Sequence, residues 1–186
     1  LSSVENGGAV NYRLTVSNNS NTEGAVRLSV VDVLPAEGDY VSDATVRGSQ
    51  WPGAFREIKE IRTVDEDGTV TEIGSTNYVM YFYHGDLAGQ SDYTNVYQAA
   101  KNAVWGTDFT DAQWNKDPKG AKAFLIVFSN DITLGIHERM EIDYAADVDT
   151  YTENELADIA YKNAVNSFAC NYSYYSLSGG GISQDN

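Results

Sequence analysis

The sequence predicts an all-β sandwich with a partly helical insertion at about residues 85–120. Apolar and polar residues alternate along several short runs, and a period of two is typical of strands that bury one face. Clusters rich in Gly, Pro, Asn, Asp and Ser separate these runs. The chain also holds 13 Tyr among its 186 residues, and aromatic side chains favour strands.

The first two strands are predicted between Val10 and Pro35. Apolar residues alternate with polar ones from Val10 to Val16, a turn cluster follows at 18–24, and the alternation restarts at Val26. Pro35 ends the second strand because proline has no N–H to donate to a ladder. We expect these two strands to be antiparallel neighbours in one sheet.

Further strands are predicted downstream. Residues 55–64 are predicted as a strand, although the spacing of Ile58 and Ile61 also permits a helical turn. Asp67 and Gly68 mark a hairpin turn after it, since an Asp-Gly pair supplies the positive φ angles of tight turns. The remaining predicted strands are 69–73, 77–83, 121–129, 137–149 and 163–175.

A helix is predicted over residues 93–105, inside the insertion, and a helical turn is predicted at 153–161. The apolar residues of the helix recur at helical spacing, and Gly106 is placed to cap its end. We expect residues 1–178 to form one domain. Residues 179–186 begin with three glycines and are predicted to be a linker-like tail.

The charge of the chain excludes some classes of partner. There are 27 acidic and 12 basic residues, so the net charge is −15 and the field of the protein repels phosphate backbones. Nucleic-acid binding is therefore not expected. No apolar run approaches the length of about 20 residues that spans a membrane, so we expect no membrane insertion within this segment.

No catalytic signature is present in the sequence. The two histidines, His84 and His137, lie far apart without metal-ligand spacing, and there is no phosphate-cradling glycine loop and no Gly-x-Ser-x-Gly turn. We therefore predict a protein that is not an enzyme. A carbohydrate-active enzyme that uses paired acids is the alternative from another class, because acidic residues are abundant.

Two sets of residues are candidates for binding. Trp51, Trp105 and Trp114 are candidate ligand-binding residues that would present aromatic rings to a glycan or a host protein, or else pack inward as ordinary core. The acidic residues that follow the 137–149 strand are a candidate calcium site, since calcium prefers clustered oxygen ligands. That set comprises Asp147, Asp149 and Glu153. No other cofactor is expected.

The single cysteine, Cys170, has no partner for an internal disulfide. It stands in an alternating run, so we predict that it is a small buried hydrophobic residue, as free cysteine usually is.

Both ends of the chain resemble one family. The runs Val10-Asn-Tyr-Arg-Leu-Thr-Val-Ser-Asn18 and Val30-Val-Asp-Val-Leu-Pro35 resemble the start of large domains in Gram-positive fimbrial and cell-wall-anchored adhesins that can form internal isopeptide bonds. Ile142-Asp-Tyr-Ala-Ala-Asp-Val148 and Asn163-Ala-Val-Asn-Ser-Phe-Ala169 resemble the last two strands of those domains. The middle of the chain, 48–120, has no counterpart in the resemblance.

The resemblance implies a fold, a location and a set of site residues. It implies an immunoglobulin-like sandwich on the bacterial cell surface, in a longer cell-wall-anchored protein whose other domains are its partners. In the crosslinking members, a lysine amine attacks an asparagine carbonyl beside a buried acid. Asp32 matches the acid, and Asn166, or less closely Asn163, matches the carbonyl partner.

The lysine of the crosslinking members has no counterpart in the first strand. That strand offers Arg13, which stays charged and cannot attack a carbonyl. We therefore expect no crosslink and a structural version of the site, in a non-enzymatic stalk or adhesion domain.

Overall fold

The computed structural model describes residues 6–41, 45–155, 164–176 and 182–183, which form two antiparallel sheets and one α-helix of thirteen residues. Residues 153–155, the described part of the predicted helical turn, are also helical. The strands are β1 (Ala9–Ser17), β2 (Glu23–Val33), β3 (Gly53–Val64), β4 (Val70–Glu72), β5 (Tyr78–Tyr83), β6 (Trp114–Asn115), β7 (Ala123–Phe128), β8 (Arg139–Val148), β9 (Ser167–Ser176) and β10 (Ile182–Ser183). The helix α1 spans Gln90–Asn102, and a short 3-10 turn covers Ser75–Asn77. No helix in these ranges is long and apolar enough to cross a membrane.

The two sheets pack face to face. One has the strand order β1-β8-β3-β4 and the other has the order β10-β9-β2-β7-β5-β6. The predicted immunoglobulin-like β-sandwich is confirmed, and so is the partly helical insertion, because α1 lies within residues 85–120. Of the predicted linker-like tail, Ile182–Ser183 pair with β9, and the other residues lie outside the described ranges.

The prediction that the first two strands are neighbours in one sheet is wrong. β1 pairs with β8 in the four-stranded sheet, whereas β2 lies between β9 and β7 in the six-stranded sheet. Asn18 fixes the segment that connects β1 in one sheet to β2 in the other. Its buried Nδ2 donates to the carbonyls of Glu23 at 2.8 Å and Gly135 at 2.8 Å. Alternation indicates which face of a strand is buried but carries no information on its partner.

Strand β2 is buried on both faces, which places it at the centre of the domain. Leu28 and Val30 pack between the two sheets, and Val31 and Val33 pack in a second cluster beneath α1. Asp32 follows the same alternation as Leu28 and Val30, so its side chain enters the space between the sheets.

Aromatic rings fill the space between the sheets near this point. Phe124 and Tyr144 meet edge to face with ring centroids 5.0 Å apart, and Phe55 packs on Phe124 at 5.2 Å and on Phe82 at 5.1 Å. Edge-to-face and tilted contacts of this kind add to the stability that area burial provides. These rings form an apolar wall around the inner face of β2.

The strand predicted at 55–64 is confirmed as β3, and its irregular apolar spacing has a structural cause. The register of β3 against β8 shifts between Phe55 and Glu57 and again between Ile58 and Glu60. Each irregularity changes the phase of the alternation. Ile58 and Ile61 therefore pack in the same core although they are three residues apart in a strand. The predicted turn at Gly68, whose φ is 88°, connects β3 to β4.

The helix lies three residues earlier than predicted. It starts at Gln90 and ends at Asn102, because Ala103 has the extended angles φ −87° and ψ 126°. The predicted helix cap at Gly106 is wrong, since Gly106 lies beyond this break in a turn of its own with φ 78°. The apolar face of α1 covers β2, as the buried Tyr93, Val96 and Ala100 show.

Candidate functional site

The structure brings together Asp32 and Asn166, two residues that the sequence singles out. The Nδ2 of Asn166 donates to Oδ2 of Asp32 at 2.8 Å, although 134 positions separate them in the chain. The pairing of β2 with β9 explains the meeting, since Asp32 pairs with Phe168, two residues after Asn166. Asp32 is fully buried at 0% exposure.

Three buried polar atoms at this site have no hydrogen-bond partner within the described residues. They are Oδ1 of Asp32, Oδ1 of Asn166 and the hydroxyl of Tyr144, which faces Asp32 outside hydrogen-bond geometry. Buried polar groups without a partner are costly. A proton on Asp32 adds a donor to this group of oxygens, so the neutral acid suits the site better than the carboxylate.

The electrostatics of the site agree with a neutral Asp32. Burial raises the pKa of Asp32 to about 7, against the opposing effects of the Asn166 and Tyr144 side chains and the positive charge of Arg47. A carboxyl group in an apolar surrounding holds its proton because the charged form loses its hydration. Asp32 is therefore mainly protonated below neutral pH.

Tyr12 lies on the inward face of β1, packed against the core between the sheets. It pairs with Tyr144 of β8, and the two rings are stacked with centroids 5.1 Å apart. Burial raises the pKa of both tyrosines, and the charge of Asp32 raises it further. Tyr12 stands in the same phase of the strand as the buried Leu14, so the alternation of β1 already indicated that it faces inward.

Arg13, the basic residue that the first strand offers where the crosslinking domains have a lysine, lies on the opposite face of β1. Its Nε and Nη2 donate to the carboxylate of Asp143 at 2.6 and 2.7 Å, and its side chain is 51% exposed. Arg13 is therefore not beside Asp32. The five lysines in the described ranges are all exposed, namely Lys59, Lys101, Lys116, Lys119 and Lys122. Asn163 and Lys162 lie outside those ranges.

A buried ion pair that the sequence did not reveal lies beside this site. Arg47 and Asp39 have side chains with 0% exposure, and Nε of Arg47 donates to Oδ2 of Asp39 at 2.6 Å. Arg47 also donates to the carbonyls of Val33 at 2.7 Å and Leu34 at 2.9 Å, where β2 ends. Two charged residues eight positions apart in a loop have no pattern that distinguishes them from solvated surface residues.

The neighbours of Asn166 are fixed on both sides. The hydroxyl of Ser49 donates to the carbonyl of Val165 at 3.0 Å, and Nη1 of Arg47 donates to Oγ of Ser167 at 3.2 Å. Oγ of Ser167 also lies 2.6 Å from the hydroxyl of Tyr97 in α1. The loop after β2 and the helix together therefore hold the backbone that presents Asn166 to Asp32.

The three candidate ligand-binding tryptophans do not form one surface. Trp51 lies in the loop before β3, Trp105 follows α1, and Trp114 lies in β6 at the edge of the six-stranded sheet. Trp114 is 6% exposed and packs against Tyr83 with ring centroids 5.2 Å apart, so its ring belongs to the core. Trp51 and Trp105 are half-buried, and the ligand role of the set stays a prediction.

The proposed calcium ligands are not arranged as a metal site. Asp147 pairs with Nη1 of Arg56 at 3.3 Å, while Asp149 and Glu153 are exposed in the segment after β8. Across the described part of the chain, no group of three or more His, Cys, Asp or Glu side chains is placed to hold a metal ion. The structure therefore adds no support to the calcium prediction.

The prediction of a buried Cys170 is wrong, since Cys170 is exposed. It shares the inner face of β9 with Phe168 and Tyr172, which are only half-buried. The six-stranded sheet is wider than the four-stranded sheet, so β9, next to its edge, is incompletely covered. The alternation indicated the correct face but not how far the opposite sheet extends.

Comparison with known proteins gives one structural likeness. Neither the family models nor the curated proteins with which the sequence was compared match it. The structure is similar to a family 3a carbohydrate binding module from the cipA scaffolding of Clostridium thermocellum, with a TM-score of 0.36 and 12% sequence identity. The alignment covers 95% of this chain and 90% of that chain.

Proposed function

We propose that this chain is a non-enzymatic extracellular module of a bacterial cell-surface adhesin or fimbrial protein, where it serves as a stalk or adhesion domain. The observation that carries this proposal is the hydrogen bond between the buried Asp32 and the half-buried Asn166. The resembling adhesin domains place their acid and asparagine at the corresponding positions. Other domains of a longer, cell-wall-anchored protein would be its partners.

The strand pairings support a load-bearing role. β1 pairs with β8 through nine residue pairs, from Ala9 with Asp147 to Ser17 with Arg139. β9 pairs with β2 through nine more, from Glu23 with Ser176 to Val33 with Ser167. Antiparallel hydrogen bonds run perpendicular to the strands, so tension along a strand shears many of them together. Such pairing suits a domain that transmits force between neighbours.

Surface labelling tests this proposal. Antibodies raised against the folded chain should label intact, unpermeabilised cells of the source organism, and brief protease treatment of those cells should remove the signal. Labelling that appears only after the cells are lysed would overturn the proposed location. A cytoplasmic protein of the same organism serves as the control for cell integrity.

We further propose that the site is the non-covalent form of the crosslinking site, with Tyr12 in the place of the lysine. Tyr12 lies on the inward face of β1 and stacks on Tyr144, and the charge of Asp32 raises its pKa. A tyrosine cannot form the amide. In this form the neutral acid and the Asn166 amide hold β2 to the start of β9 through a hydrogen bond.

Replacing Tyr12 with lysine should install the crosslink. In Tyr12→Lys, a neutral Nζ would form a bond to Cγ of Asn166 while the Cγ–Nδ2 bond breaks and ammonia leaves, with Asp32 as the proton donor and acceptor. The expected result is an intact mass lower by one ammonia than the mass of the variant sequence. Mass spectrometry under denaturing conditions measures it.

Two variants control this experiment. Thr15→Lys places a lysine on the exposed face of the same strand and should show no mass loss. Tyr12→Lys combined with Asn166→Ala lacks the carbonyl partner and should also keep its full mass. A folded Tyr12→Lys variant with an unshifted mass would contradict the assignment of Tyr12 to the lysine position.

A further inference from the structure

A cavity of about 350 Å³ lies on the outer face of the six-stranded sheet, where α1 ends. Its apolar part comes from strand residues of β2 and β7 and from the segment after the helix. The polar side chains that line it, together with the indole ring, are Arg27, Lys101, Trp105, Asn130, Asn171 and Ser173. None of these residues belongs to the Asp32 site.

The charge of this cavity is opposite to that of the chain. Arg27 and Lys101 both line it, and no Asp or Glu does. Neither cation forms an ion pair within the described residues, whereas Arg13, Arg56 and Arg62 all pair with carboxylates there. In a chain of net charge −15, two unpaired cations on one concave surface make that surface locally positive.

The backbone at Arg27 is strained. Its φ is 53°, in the left-handed region that residues other than glycine seldom adopt, and the β2–β9 register shifts between Val26 and Ser29. A bulge of this kind redirects a side chain, and such strain concentrates at binding sites. Here the residue with the strained backbone is Arg27, whose side chain lines the cavity.

The remaining lining groups suit a sugar ring. The half-buried Trp105 offers an aromatic surface, and the amides of Asn130 and Asn171 offer both donors and acceptors for hydroxyl groups. An arginine fork matches the geometry of a carboxylate. Together these groups could contact the apolar face of a sugar ring, its hydroxyl groups and one negative charge.

We propose that this cavity binds a saccharide that carries a carboxylate, such as a uronic or sialic acid unit. Arg27 and Lys101 select the charge, and Trp105 with the two asparagines selects the sugar. This assignment uses one of the three predicted ligand-binding tryptophans, and it does not rest on the stalk role or on the Asp32 site.

Calorimetric titration at low ionic strength tests the ligand class. The probes are glucuronic acid and N-acetylneuraminic acid, with glucose and succinate as matched compounds that lack the charge or the sugar. At least one acidic sugar should bind at least about tenfold more tightly than glucose and succinate, because hydrogen bonds to charged groups are strong. Failure of both acidic sugars to bind, or equal binding of glucose or succinate, would overturn the proposal.

Arg27→Gly and Lys101→Gln test the residues. Arg27→Gly removes the guanidinium and relieves the positive φ, so the fold is kept while the affinity for the acidic sugar should fall at least about tenfold. Lys119→Gln removes an exposed lysine outside the cavity and should leave the affinity unchanged. Lys101→Gln should also weaken binding of the acidic sugar, and wild-type affinity in either cavity variant would overturn the assignment.

Discussion

Replacing Arg47 with methionine should destabilise the folded chain by about 3–5 kcal/mol, because it leaves the Asp39 carboxylate buried without its counter-charge. Both side chains have 0% exposure, and Arg47 also donates to two carbonyls at the end of β2. Methionine fills the space of the aliphatic part of arginine, so the loss reports mainly on charge and hydrogen bonds. The free energy of unfolding in urea measures the effect.

Arg56→Met is the matched control for Arg47→Met. Arg56 pairs with Asp147 at 3.3 Å, but both side chains are about half exposed. Exposed pairs contribute about 0–1 kcal/mol, so this variant should stay close to the wild type. Equal losses in the two variants would contradict the view that the buried ion pair stabilises the region around Asn166.

Replacing Asp32 with asparagine should change how stability depends on pH. The pKa of Asp32 in the folded chain is about 7, above its ordinary value of 3.8, so the folded state binds the proton more tightly than the unfolded state. The stability that protonation provides is fully present below the ordinary pKa and is lost as the pH rises through about 7. Asparagine resembles the neutral acid and does not titrate.

The stability of Asp32→Asn relative to the wild type should therefore increase between about pH 4 and about pH 7, and then remain constant. The size of the increase is at most about 4 kcal/mol, the free-energy equivalent of the pKa difference. Chemical unfolding of both proteins at a series of pH values measures it.

Subtracting the free energy of unfolding of the wild type from that of Asp32→Asn at each pH removes the opposing contributions of other carboxylates, because both proteins contain them. The arginines around Asp143 and Glu141 lower the pKa of both groups, so these pairs lose stability as the pH falls in either protein. Thr15→Ala, an exposed substitution that changes no titrating group, serves as a control and should differ from the wild type by a constant amount. A constant difference for Asp32→Asn as well would contradict a neutral Asp32.

The strands were largely predictable from alternation, but their partners were not. A period of two records which side chains are buried, and it identified the inward phase of β1 that includes Tyr12 and Leu14. It does not record whether the next strand joins the same sheet, so the placement of β1 and β2 in different sheets was missed. The exposure of Cys170 was missed for a related reason, since it depends on the width of the opposite sheet.

The site was predictable only in part. Asp32 and Asn166 followed from the family resemblance, and the β2–β9 pairing brings them into contact. Arg47 and Asp39 lie in an irregular loop, where burial of a charged residue depends on tertiary contacts with β2 and β9. No local pattern encodes such burial, so this ion pair emerged only from the structure.

Mass spectrometry of the intact wild-type chain under denaturing conditions distinguishes a non-covalent contact between Asp32 and Asn166 from an internal crosslink. We expect a mass equal to that of the sequence, because the contact is a hydrogen bond and the domain has no crosslink. A mass lower by one ammonia, with a fragment that joins Asn166 to a lysine, would contradict this expectation.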